Sequence, residues 1–217
     1  MNNLLGIGVI LFLIMTLSIQ VGCNDVKNDP LPDVTASTFT INGTVKLKET
    51  DATGTRLVKW HYGPAMIRAG KLSNAALTSD GNFTLILPAT IKGSEFMSMD
   101  DFTTIQGGTC VAVPATMNFA GPVDFIVDYT DNGEAKNVAV GQYLYVLSNN
   151  KPVVSRSYTY NFYDRDGTYT GNNDFAKTFD WSFNKGWGMI ESYFSSAASA
   201  SSSKSVTLVP VDAVWTN

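Results

Sequence analysis

Between residues 38 and 217 hydrophobic positions recur mostly every second residue, the period of a half-buried strand. "TFDWSF" sets Phe179, Trp181 and Phe183 against Thr178, Asp180 and Ser182, and "SYTYNF" sets Tyr158, Tyr160 and Phe162 against Ser157, Thr159 and Asn161. "NFTLILP" places Phe83, Leu85 and Leu87 on one face. The "SDG" before it predicts a hairpin with "NAALT", and "TDNGEA" predicts another between "VDFIVDY" and "NVAVGQYLYVL". The "NG" of "TFTINGTVKL" is read as a glycine inside one strand, because alternation continues through it. Helical signal is confined to "GSEFMSMDDFTTIQ", expected to hold one or two turns starting at Ser94. "SSAASASSSKS" reads as a low-complexity connector, and "SVTLVPVDAVW" as a final strand in which Pro210 requires an edge or a bulge. Short strands with turns at near-regular spacing predict an all-β, antiparallel sandwich.

A different pattern precedes this region. Leu4 to Ile19 carries no charge, is short for a bilayer span and suits the hydrophobic segment of an export signal; Gly22 and Cys23 follow. "NDVKNDPLPDVTAS" then reads as a solvated tether, reaching at most about 45–50 Å when extended. An uncleaved anchor, or an ordinary signal with a spectator cysteine, fits the residues too. The stretch "LSIQVGCND" resembles the lipobox of bacterial lipoproteins. That resemblance implies that Cys23 is diacylated as the first mature residue, and Asn24 after it implies sorting to the outer membrane. The expected organisation is a signal peptide over 1–22, lipidated Cys23 and tether over 23–36, a β-sandwich domain over 37–118, and over 119–217 a second sandwich or a continuation of the first.

"INGTVKL" with "SNAALTSDGNFTLILP" resembles the prealbumin-like, carboxypeptidase-regulatory type of β-sandwich found in Bacteroidetes surface proteins. "YTYNFYDRDGTYTG", "FNKGWGMIES" and "VDAVW" are similar to the C-terminal half of envelope lipoproteins from that phylum. The resemblance implies an Ig- or prealbumin-like sandwich on an envelope lipoprotein, and it brings no catalytic residues.

Charge narrows the partners. With 15 basic and 19 acidic residues the net charge is −4, and without a basic cluster nucleic acid is not an expected partner. The only cysteine besides Cys23 is Cys110, in the apolar "GGTCVAVP", where a buried inert thiol is expected. His61 is the only histidine, which rules out an HExxH zinc site; neither a GxSxG elbow nor a P-loop occurs. No cofactor is expected, with calcium the one candidate. In "YDRDGTYTGNND" Asp164, Asp166 and Asp174 offer hard oxygen ligands, though Asp-Gly is also common turn chemistry and the turn is favoured. Asp100, Asp101, Asp124, Asp128 and Asp180 are available for paired-carboxylate glycoside hydrolysis, with no motif behind them. Flat rings at Trp60, Trp187, Tyr158 and Tyr160 are the candidate platform for a glycan or a partner protein, while Phe179, Trp181 and Phe183 are assigned to the core. The sequence thus predicts a lipid-anchored envelope protein acting as a binding, adhesion or assembly module rather than as an enzyme. A hydrolase or a purely structural component stands as the alternative.

Overall fold

The period-two segments form strands buried on alternate residues: in Asn82–Leu87, Phe83, Leu85 and Leu87 are buried while Asn82, Thr84 and Ile86 are exposed. The computed structural model describes residues 31–50, 56–59, 65–131, 133–148, 151–195 and 200–217. The expected signal segment, Cys23, Trp60 and His61 lie outside the described residues. In chain order the strands are β1 (Val34–Thr35), β2 (Phe39–Thr44), β3 (Leu47–Thr50), β4 (Arg56–Lys59), β5 (Met66–Ala69), β6 (Ser73–Ala76), β7 (Asn82–Leu87), β8 (Thr90–Ile91) and β9 (Met97–Ser98). After the helix α1 (Met99–Gln106) come β10 (Val111–Val113), β11 (Asn118–Ala120), β12 (Phe125–Asp131), β13 (Glu134–Ser148), β14 (Lys151–Tyr163) and β15 (Gly167–Asn172). The last four are β16 (Lys177–Phe183), β17 (Gly186–Ser195), β18 (Ala200–Val206) and β19 (Val214–Thr216).

The fold is all-β and mainly antiparallel. A sheet ordered β10-β15-β16-β18-β17-β14-β13-β12-β5-β6 runs through the molecule, and the β2–β7 pair packs over one end of it. Between these layers lie Ile41, Phe83, Leu85, Leu87, Ile67, Phe125, Val127, Tyr160 and Trp215. At the other end β11 pairs the edge of β14. β10 and β11 follow each other in the chain, so the strands from β14 round to β10 wrap a second core of Met99, Met117, Phe119, Tyr163, Tyr169, Phe179, Trp181 and Phe183. The Phe102 ring of α1 reaches into it, stacking on Trp181 at 5.7 Å. Strands from both sides of residue 118 pair with one another, β5 with β12 among them.

Several expectations hold. Asn42 and Gly43 lie inside β2. Asp131 pairs with Glu134 across a tight hairpin in which Gly133 has φ +84°, as the "NG" turn requires. Phe179, Trp181 and Phe183 are buried.

Others change. A turn forms between Thr78 and Asn82, but β6 pairs with β5 and β7 with β2, so the turn passes the chain from one layer to the other. The helix starts one turn later than expected: Ser98 caps it by accepting from the Asp101 N–H at 2.9 Å, and Gly93–Glu95 is a separate 3-10 turn. Part of the expected tether is docked, since Val34 and Thr35 pair with Ile91 and Thr90 and Asp33 accepts from the Gly93 N–H. The connector expected at 195–205 contributes β18, held between β16 and β17. Pro210 sits in no strand; its carbonyl accepts from the Ala213 N–H in the turn before β19.

Candidate binding face

Strand register assembles a surface that no single segment contains. Tyr143 of β13 is paired with Ser157 of β14, Ser157 with Ser192 of β17, Ser192 with Ser203 of β18, and Ser203 with Phe179 of β16. Two residues along, the neighbouring row reads Tyr145, Ser155, Phe194, Ser201 and Lys177. Each row crosses four strand spacings, about 19 Å of sheet. Both rows lie on the face that holds Ile190 and Trp181 of the second core; the first row ends inside that core, where Ser203 and Phe179 are buried, and the second runs beyond the part that α1 covers.

Three features suit this face to recognition. Tyr143 and Tyr145 stack with centroids 5.6 Å apart and planes 14° apart. A Cβ on Gly141 would fall 2.6–2.7 Å from the ring carbons and hydroxyl of Tyr143, so the ring lies along the strand in the space the glycine leaves. Serines fill the middle of the first row and flank the exposed Phe194 in the second. Ser203 accepts from Trp181 Nε1 at 2.9 Å and lies 3.3 Å from the Ser192 hydroxyl. At the far end Lys177 Nζ donates to Ser192 Oγ at 3.3 Å and lies 5.2 Å from the Phe179 ring centre. Burial holds its ammonium below the ordinary lysine value. Lys177 and Ser192 have the residue types of a base and a nucleophile. The backbone beside Ser192 is paired on both sides in the β14–β17–β18 ladder, so among the described residues no oxyanion hole adjoins it.

The platform expected from Tyr158 and Tyr160 faces the other way. Both are buried, at 3% and 2% exposure, and their hydroxyls donate to Glu191 at 3.1 Å and to Gln142 at 2.7 Å. They cannot stack on a ligand because both ring faces are inside. Sequence reasoning missed Tyr143 and Tyr145 although "GQYLYVL" contains them; the signal was two aromatics at i and i+2 following a glycine.

Trp187, expected to be exposed between its two glycines, is half-buried. Its Nε1 donates to the Pro88 carbonyl at 2.7 Å and its ring meets Phe162 edge-on. It forms a wall of two open clefts, one of about 440 Å³ lined by Phe39, Asn184, Ser205 and Thr207 among others, and one of about 350 Å³ with Lys71, Glu95 and Asp124. Of the other acids, Asp128 pairs with Arg68 at 3.0 Å, and Asp180 and Asp100 are exposed on separate elements. Cys110 is buried with a free thiol.

The acidic loop is a corner between β14 and β15, which do not pair with each other. Asp164 accepts from the backbone and side-chain N–H of Asn118 at 2.9 and 2.8 Å and from Arg165 at 3.0 Å. Asp166 accepts from the Lys185 N–H at 2.7 Å, and Asp174 is exposed beside Gly107. Protein donors already satisfy two of the three carboxylates, and no three acidic, histidine or cysteine side chains converge among the described residues. Adding a calcium chelator is therefore expected to leave the melting temperature unchanged; a drop of several degrees would return the loop to candidacy.

Among the described residues no helix is long and apolar enough to cross a membrane. Comparison with known proteins finds no matching family model, no matching curated protein and no matching solved structure.

Proposed function

We propose that this protein is a lipid-anchored component of the outer membrane, of the envelope-lipoprotein type its segments resemble, acting as a non-catalytic module that binds or adheres to glycans. The two rows spanning β13 to β16 carry this reading: stacked tyrosines at one end and hydroxyls across the middle give ring area and hydrogen-bonding groups on rigid strands. Attachment rests on the apolar run ending in Gly22-Cys23 and on the polar residues after it.

Two experiments test it. Wild type and Tyr143→Ala are compared on a glycan array, with Gly141→Val as a variant that displaces the ring without removing it. Both substitutions should abolish or weaken binding at unchanged secondary structure; full binding by both sinks the face. Trp187→Ala is a poorer probe, because that indole also supports the fold. For the anchor, Cys23→Ser should move the protein from the detergent phase to the aqueous phase and prevent maturation. Continued detergent partitioning at the mature size sinks lipidation.

A second reading has one specific observation behind it. Glu95 and Asp124 share the Trp187 cleft with Lys71, as a carboxylate pair for glycan hydrolysis would. Both are exposed, whereas a general acid needs a desolvated carboxyl. Release of reducing sugar that disappears in Asp124→Asn would favour this reading. A purely structural component would bind nothing on the array and would be recovered with neighbouring envelope proteins.

A further inference from the structure

Resting on the binding-face reading, we propose that Lys177 reads a carboxylate, so that the ligand is an acidic glycan lying across the strands from the Tyr143/Tyr145 pair to the β16 end. An ammonium removed from water is normally paired with an acid, because an unpaired buried charge is costly. Lys177 is half-buried, yet its contacts are one serine hydroxyl at 3.3 Å and the face of Phe179, and no carboxylate is within ion-pair distance among the described residues. Nζ has three donors, so two are left for a ligand. A second observation concerns charge placement. None of the ten positions in the two rows is acidic, in a chain with 19 Asp and Glu residues. Asp180, next in sequence to Phe179, points to the opposite face and is exposed. The only formal charge among these ten positions is therefore positive.

Geometry favours a sugar chain over a small anion. Lys177 and Tyr145 close the two ends of one row, about 19 Å apart along the sheet. Among the described residues the Ser155 and Ser201 hydroxyls between them, and that of Ser157 in the neighbouring row, have no protein hydrogen-bond partner. A free carboxylate would engage Lys177 alone and leave the tyrosines and these hydroxyls unused. A chain of sugar rings meets all three: a ring on Tyr143, hydroxyls on the serines, a carboxylate on Nζ.

The test is an array of uronic- and sialic-acid oligosaccharides, each beside its carboxyl-reduced counterpart, followed by titration calorimetry on the best pair. Wild type should prefer an acidic member on the order of tenfold, the worth of a charge-assisted hydrogen bond. Lys177→Gln should bind both members equally at the neutral member's affinity, Lys177→Arg should keep the preference, and Tyr143→Ala should weaken both. Circular dichroism on each variant separates misfolding from loss of contact. Equal wild-type binding of acidic and neutral members, or a preference that survives Lys177→Gln, overturns the acidic specificity and leaves the binding face standing. Absence of binding to every member overturns both.

Discussion

Trp215→Ala is expected to destabilise the protein by about 3–5 kcal/mol, the range for removing a large buried aromatic. Trp215 is 1% exposed; it meets Phe125 at 4.7 Å and Phe83 at 5.6 Å edge-on, and stacks over Tyr160 at 6.2 Å. Its backbone ties β19 to β13, and its carbonyl accepts from the Lys46 N–H at 2.7 Å, so the residue joins both layers of the first core. Among the described residues the buried indole Nε1 has no acceptor, so the loss is one of packing and not of a hydrogen bond. Gly43 supplies a second check. A Cβ there would lie 2.5 Å from the indole Cδ1 and Nε1, so Gly43→Ala should cost about 1–3 kcal/mol in wild type through overpacking. In the Trp215→Ala background the same change should cost much less, because the obstruction is gone. Urea melts of the four proteins complete the cycle. Additive losses, or a Trp215→Ala cost below about 1 kcal/mol, would contradict the packing described.

The next largest effect is alkaline unfolding. Burial, then the hydrogen bond and charge of Glu191, push the Tyr158 phenol up to about 12. Burial pushes Tyr160, Tyr163 and Tyr169 well above the ordinary tyrosine value. A group whose folded pKa is raised stabilises the fold fully below its unfolded pKa, about 10 for tyrosine, and that contribution is lost as pH climbs through the folded value. The four buried phenols should therefore ionise only above the ordinary tyrosine value, their absorbance rising together with loss of the circular dichroism signal. Ionisation of all nine tyrosines near pH 10 with the fold intact would contradict it. Glu191→Gln removes a charge that opposes the phenolate and should move the Tyr158 step to lower pH.

The two aromatic pairs show where the sequence stops being legible. "YTY" in β14 sits between polar residues, whereas "YLY" in β13 has Leu144 between its rings, and register decides which of its faces turns inward. Pairing Tyr143 with Ser157 sends Tyr160 into the first core, buries Tyr158 on the same side and leaves Tyr143 and Tyr145 on the other. In "TFDWSF" and "SYTYNF" every alternate residue is polar, so the aromatic face is the one buried; "YLY" has apolar residues on both faces, and there the ambiguity is real. β18 failed for another reason. A serine-rich run has the composition of a connector, but here neighbours on both sides satisfy its backbone, Ser203 accepts from Trp181, and Ser205 accepts from the Ser182 N–H at 2.8 Å. The loop after Tyr163 carries the Asp-Gly of a hairpin turn, yet β14 and β15 do not pair and the loop is a corner between them. The Asn118 that fastens Asp164 lies 46 positions earlier, beyond the reach of any local motif.

The position of β19 also bears on how fast the molecule forms. Its indole packs on residues 43 and 83 and completes a core begun at the opposite end of the chain. Contacts so remote in sequence must close large loops before they are rewarded, which places refolding on a timescale of roughly milliseconds to seconds. Until then the edge of β13 at residues 141–143 has no partner strand and can recruit another copy, so refolding yield should fall as protein concentration rises.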